Sequence, residues 1–209
     1  MKLLYFLTVF FTANVFSYNL LYIGEVESEQ WNDTFGKFIN YPLKVYAGGT
    51  PDGSERIVQI TIKNSFGDDF NKYLVSKKCT ERQIKEKECN SIGYTYNYEY
   101  LFLVATLRKS IEWTRIKKEN NIEKVHKSLA PQLNDKGFAS PFGDGSPRFF
   151  AEGDYRADLI FPTKFNLIGE IDRYYSSEAQ EVFLEHLLKV KETVDRSIEE
   201  NKKIDDLFK

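Results

Sequence analysis

Two cysteines, two histidines and one methionine among 209 residues leave little material for metal or redox chemistry. Two thiols are too few for a structural zinc site. Cys79 and Cys89 are also too far apart for the C-x-x-C spacing of reactive dithiols. The motifs H-E-x-x-H, G-x-S-x-G, the P-loop and S-x-x-K are all missing after the first 17 residues. Zinc hydrolases and phosphate-loop enzymes are therefore disfavoured, although a triad assembled from distant residues leaves no local trace. Net charge is small, −2 over the whole chain, which argues against a dedicated nucleic-acid binder. Beyond residue 17 no apolar run is long enough to cross a bilayer.

The first 17 residues read differently. Lys2 gives a positive start, Leu3 to Phe11 is apolar except for Thr8, and Val15-Phe16-Ser17 offers small or tolerable residues at a cleavage site. Residues 1–17 are expected to be a cleavable signal peptide, with cleavage after Ser17 leaving residues 18–209 as one globular domain, exported to a periplasmic or extracellular setting. The alternative, a membrane anchor, needs about 20 apolar residues, and Asn14 and Ser17 interrupt the run before that. An oxidising compartment lets the two cysteines pair. One continuous helix between them would hold the sulfurs about 15 Å apart, so a Cys79–Cys89 bridge requires the chain to turn back. Thr80-Glu81-Arg82-Gln83 has the pattern of a capping box opening a short helix inside that loop.

The expected fold is α+β, a curved antiparallel sheet packed by a long C-terminal helix. Leu20–Val26, Leu43–Ala47 and Arg56–Lys63 read as strands, the last two joined by the turn-rich residues 48–53. Asp69–Val75 has helical spacing. Tyr94, Tyr96, Tyr98 and Tyr100 repeat with period two, so residues 92–118 read as two strands bent around Arg108-Lys109-Ser110, with a helix over Leu103–Trp113 as the alternative. Ile122–Leu129 fits a strand or two helical turns. Residues 131–156, with three prolines and four glycines, read as a long loop. Ala157–Phe161 and Phe165–Ile171 resume strand character around Pro162, which suits a sheet edge or a bulge. Ser177-Glu178-Ala179-Gln180 resembles a second capping box, and Phe183, Leu187, Val190, Val194 and Ile198 form the apolar stripe of a helix from Ser177 to about Asp206.

Function is read mainly by exclusion. His126 lies in a polar segment and His186 beside the apolar stripe, as a partly buried helix residue rather than a base. Glu152, Asp154, Asp158 and Glu170 could supply a carboxylate pair for a dispersed hydrolase site. Gly143-Asp144-Gly145-Ser146 lacks the spacing of an EF-hand loop, so neither a metal nor another cofactor is expected. The basic stretch Arg108–Lys127 reads as a solvated face. What remains is aromatic content of 15%, with thirteen tyrosines. Tyrosine joins a large contact area to a polar tip and is enriched at interfaces. The expectation is a non-enzymatic exported protein that binds a protein or envelope partner, in the manner of an inhibitor or immunity protein. Its expected contact residues are Tyr94, Tyr96 and Tyr98 on the strand and Asp144 and Arg148 in the loop. A secreted hydrolase and a barrel holding a small apolar ligand are the alternatives.

Overall fold

The computed structural model describes residues 19–50, 52–64, 67–87, 89, 93–96, 98–129, 147–152, 159–165 and 169–207. The expected signal peptide lies outside them. Two open antiparallel sheets and a set of helices make an α+β fold.

The first sheet has the order β1 (Asn19–Val26), β4 (Leu43–Gly49), β5 (Glu55–Asn64), β6 (Gly67–Lys78), β7 (Tyr94–Tyr96). Alternation drives it: in β4, Leu43, Val45 and Ala47 are buried while Lys44 is exposed. The hairpin expected over residues 43–63 forms, pairing Leu43 with Ile62 through Gly49 with Arg56. Asp69–Val75 is not a helix. It belongs to β6, whose register with β5 runs from Asn64↔Gly67 to Glu55↔Lys77, and that pairing overrides the local helical spacing. β1 carries a bulge at Ile23, between the pairs Tyr22↔Tyr46 and Gly24↔Val45.

The second sheet has the order β3 (Lys37–Asn40), β2 (Glu29–Asn32), β11 (Gly169–Tyr175), β10 (Leu159–Phe165), β9 (Arg148–Glu152), β8 (Lys124–Ser128). The expected antiparallel architecture is thus formed by two sheets, and neither is closed into the barrel weighed as an alternative. The chain leaves the first sheet at Glu27-Ser28 and returns at Tyr41-Pro42. These crossings are clamped together: Tyr41 N donates to Ser28 O at 2.8 Å and Ser28 Oγ to Tyr41 O at 2.6 Å. Within the loop expected over 131–156, residues 148–152 are strand β9, and Leu129 N bonds Pro147 O at 2.9 Å. Pro162 sits in β10, opposite Asp172 of β11.

Residues 98–119 correct the expectation of two strands: they form one helix, α2 (Tyr98–Glu119). β7 finds only Ser76, Lys77 and Lys78 to pair with. Beyond it Phe102, Leu103, Thr106, Leu107, Ser110 and Thr114 are buried at helical spacing. The helix expected from Ser177 to Asp206 is two, α3 (Ser177–Leu188) and α4 (Val190–Leu207), separated at Lys189. Ser176, not Ser177, caps α3, accepting from Ala179 N at 3.1 Å. Val190, Val194 and Ile198 carry α4 onto the first sheet, with buried Thr193 and Ser197 allowing close approach. Gly49 is part of that fit, since a Cβ there would lie 3.0 Å from the Ile198 side chain and 2.9 Å from Glu55 O.

Cys79 and Cys89 form a disulfide with Cα atoms 6.4 Å apart. Inside the loop, α1 (Glu81–Lys85) opens on the expected capping box, Thr80 N donating to Gln83 Oε1 and Gln83 N to Thr80 Oγ1. Lys87 reverses the chain at φ 56°.

Candidate functional site

A group of aromatic residues reaches solvent on the β2–β3 hairpin. Trp31 and Phe38 are directly paired across the hairpin, their rings edge to face at 5.1 Å. Phe38 meets Tyr174 of β11 in the same geometry at 4.9 Å. Offset and edge-on contacts of this kind stabilise ring clusters beyond area burial alone. The turn is held by short polar contacts: Asn32 Oδ1 accepts from Phe35 N at 3.1 Å, and Asp33 Oδ1 accepts from Trp31 Nε1 at 2.9 Å. Gly36 supplies the left-handed residue at φ +57°. Phe35 is thereby displayed at the tip, 66% exposed, with Trp31 44% exposed beside it and the Lys37 ammonium 6.0 Å from the Phe35 ring.

A polar hollow of about 220 Å³ adjoins the cluster, lined by Glu27, Ser28, Glu29, Asn40, Tyr174 and Ser176. Next to Tyr174 on β11, Arg173 is fully buried, its guanidinium 5.3 Å from the Tyr41 ring and Nη1 3.5 Å from Tyr41 O. Burial pulls the Arg173 pKa down from its usual value, while Tyr175 and Tyr41 act in the opposite sense. Burial likewise drives the Tyr175 hydroxyl well above the ordinary tyrosine range, opposed by Arg173. Glu27 and Glu29 line the hollow, and Asp33 stands in the turn of the hairpin. Such a surface can bury large rings against an apolar recess while its carboxylates face basic groups.

Among the described residues, the contact residues singled out from sequence are spread over β7, α2 and β9. Tyr94 is half-buried: its hydroxyl donates to Gly53 O at 3.0 Å and its ring lies 4.4 Å from the Arg56 guanidinium. Tyr96 pairs with Ser76 through the backbone, and Tyr98 opens α2. The three therefore do not share one strand face. Tyr100 lies under α3, donating to Leu187 O at 2.8 Å, and burial raises its pKa despite Arg108 nearby. Arg148 is on β9, paired with the Asp172 carboxylate. Asp144, Asp154 and Asp158 lie outside the described residues, while Glu152 and Glu170 lie in β9 and β11. His126 is exposed on β8 against the Phe150 ring. His186 packs on Gly24, with Nε2 3.2 Å from Glu25 O.

Among the described residues no group of three or more His, Cys, Asp or Glu could hold a metal ion, and no helix is long and apolar enough to cross a membrane. Sequence reasoning assigns no element between the strands at Leu20–Val26 and Leu43–Ala47, so this hairpin is not among its expectations. Its signal was nonetheless present, in Trp31, Phe35 and Phe38 flanking the turn formers Asn32, Asp33 and Gly36. No protein-family model, curated protein or solved structure matches the chain.

Proposed function

We propose that this chain is exported and acts by stoichiometric binding of a protein partner, with the β2–β3 hairpin as its anchor. The observation that carries the reading is the exposure of Phe35 and Trp31 on a hairpin whose rings are fixed by Phe38 and Tyr174. Aromatic anchors held in one conformation lose little entropy on association, and tryptophan is prominent among interface hot spots. The acidic rim of Glu27, Glu29 and Asp33 selects a partner surface that is basic around an apolar recess. The disulfide between Cys79 and Cys89 supports an oxidising compartment.

The test has two parts. N-terminal sequencing of the exported protein should begin at Tyr18. Partner capture from that compartment is then compared between the wild type and the variants Trp31→Ala and Phe35→Ala. Each should remain folded and lose about thirtyfold or more in affinity for the captured partner. Unchanged capture by both folded variants would remove the hairpin from the contact surface.

A further inference from the structure

The sequence holds one Asn-x-Ser/Thr triplet in which x is not proline, Asn32-Asp33-Thr34, and the fold places it at the β2–β3 turn. That triplet is the acceptor pattern for N-linked glycosylation. An amide nitrogen is a poor nucleophile, because its lone pair is delocalised into the carbonyl. Transfer therefore needs an enzyme that holds both the amide and the hydroxyl two residues on. Here Asp33 and Thr34 are exposed, as are Phe35, Gly36 and Lys37 after them.

The two ends of the Asn32 amide are in different situations. Oδ1 holds the turn by accepting from Phe35 N at 3.1 Å. Nδ2, the atom that carries the sugar in an N-linked glycan, makes no hydrogen bond among the described residues. A substituent on that nitrogen leaves the turn bond in place. Asn32 pairs with Lys37, one step beyond Trp31↔Phe38, so strand alternation turns its side chain away from the face of the Trp31 and Phe38 rings. The Glu29↔Tyr174 pairing that seats β2 in the second sheet needs β11, so the triplet is presented before the turn is docked. The Cys79–Cys89 bridge suits the same oxidising lumen.

We infer that Asn32 is an N-glycosylation site, modified as the chain enters the endoplasmic reticulum. Nδ2 attacks the anomeric carbon of an oligosaccharide carried on a polyprenyl pyrophosphate. A C–N bond forms, the C–O bond to the pyrophosphate breaks, the lipid pyrophosphate departs with that electron pair, and Nδ2 gives up one proton. The inference rests on the reading that the chain is exported, and not on the partner proposed for the hairpin. A glycan on Asn32 covers one side of the turn and leaves the face of Trp31 and Phe38 open.

The full chain, translated in a cell-free system with endoplasmic-reticulum microsomes, should become protected from added protease and show a single upward mass shift. Peptide-N-glycosidase F should remove the shift and convert Asn32 to aspartate, which peptide mass mapping reads directly. Asn32→Gln and Thr34→Ala should each abolish the shift while protection persists, and Thr34→Ser should retain it. Thr34→Ala matters most, because it leaves the Asn32 bond to Phe35 N untouched at an exposed position. A protected but unshifted wild type overturns the inference and leaves export standing. A shift that survives Thr34→Ala overturns it as well, whereas a chain neither protected nor shifted removes export and glycosylation together.

Discussion

His186 lies so close on Gly24 that a Cβ added to the glycine would stand 2.2 Å from its Nε2. The contact occurs next to the β1 bulge, where Ile23 is the extra residue, and α3 is locked there by the Nε2 bond to Glu25 O. Gly24→Ala should destabilise the fold by about 1–3 kcal/mol, the usual cost of overpacking. Because the clash is with one side chain, Gly24→Ala/His186→Ala should be more stable than Gly24→Ala alone. Denaturant midpoints of the cycle decide it, and simple additivity would mean that the two residues do not meet.

Tyr94→Phe removes the hydroxyl bond to Gly53 O and leaves the ring beside Arg56. A loss of about 1 kcal/mol is expected, with partner affinity unchanged. Weakened binding at full stability would instead return Tyr94 to the contact surface.

Serine at both Cys79 and Cys89 should lower stability by about 3 kcal/mol in the chain-entropy model for so short a loop. Mass measurement of the wild type under non-reducing conditions should detect no free thiol. Alkylation of both cysteines in native, oxidised material would count against the bridge.

The Asp52 carboxyl is held below its ordinary pKa, first by the Thr50 hydroxyl and then by the Ser54 backbone N–H, despite a small opposing effect of burial. A depressed folded value stabilises above the unfolded pKa of about 3.9 and loses that stabilisation as pH falls through the folded value. The difference in melting temperature between wild type and Asp52→Asn should therefore be constant from about pH 5 upward and shrink below about pH 4.

For Tyr100 the sign is opposite. Burial raises its folded pKa, so the neutral hydroxyl stabilises fully below the unfolded value of about 10, and the effect is lost as pH rises through the folded value. Tyr100→Phe should cost about 1 kcal/mol at neutral pH, through the lost bond to Leu187 O. Its stability should then decline less steeply than that of the wild type in alkaline solution.

Local chemistry was legible wherever it was decided locally. The strands at Leu43–Ala47 and Arg56–Lys63, the Thr80 capping box and the apolar stripe of the last two helices all follow from spacing between near neighbours. Errors fell where distant partners decide. Asp69–Val75 has helical spacing but lies against β5, and Tyr98 and Tyr100 continue a period of two into a helix whose buried face starts at Phe102. Two sheets could not be separated from one, because the crossings at Glu27-Ser28 and Tyr41-Pro42 resemble ordinary turns. The hairpin site was obscured for the same reason: Phe38 acquires its fixed orientation from Tyr174, far along the chain.

That distance bears on the order of assembly. β2 and β3 leave and rejoin the first sheet through a double crossing pinned by Ser28 and Tyr41, and they join the second sheet where Glu29 meets Tyr174. β1, β4, β5 and β6 can pair as soon as the chain as far as Lys78 is available, but the hairpin must wait for β11. Loop closure over such a span is entropically costly and slow. Throughout that interval Phe38 lacks the Tyr174 ring that meets it in the finished fold. The second sheet is therefore completed late in folding, after nearly the whole chain is available.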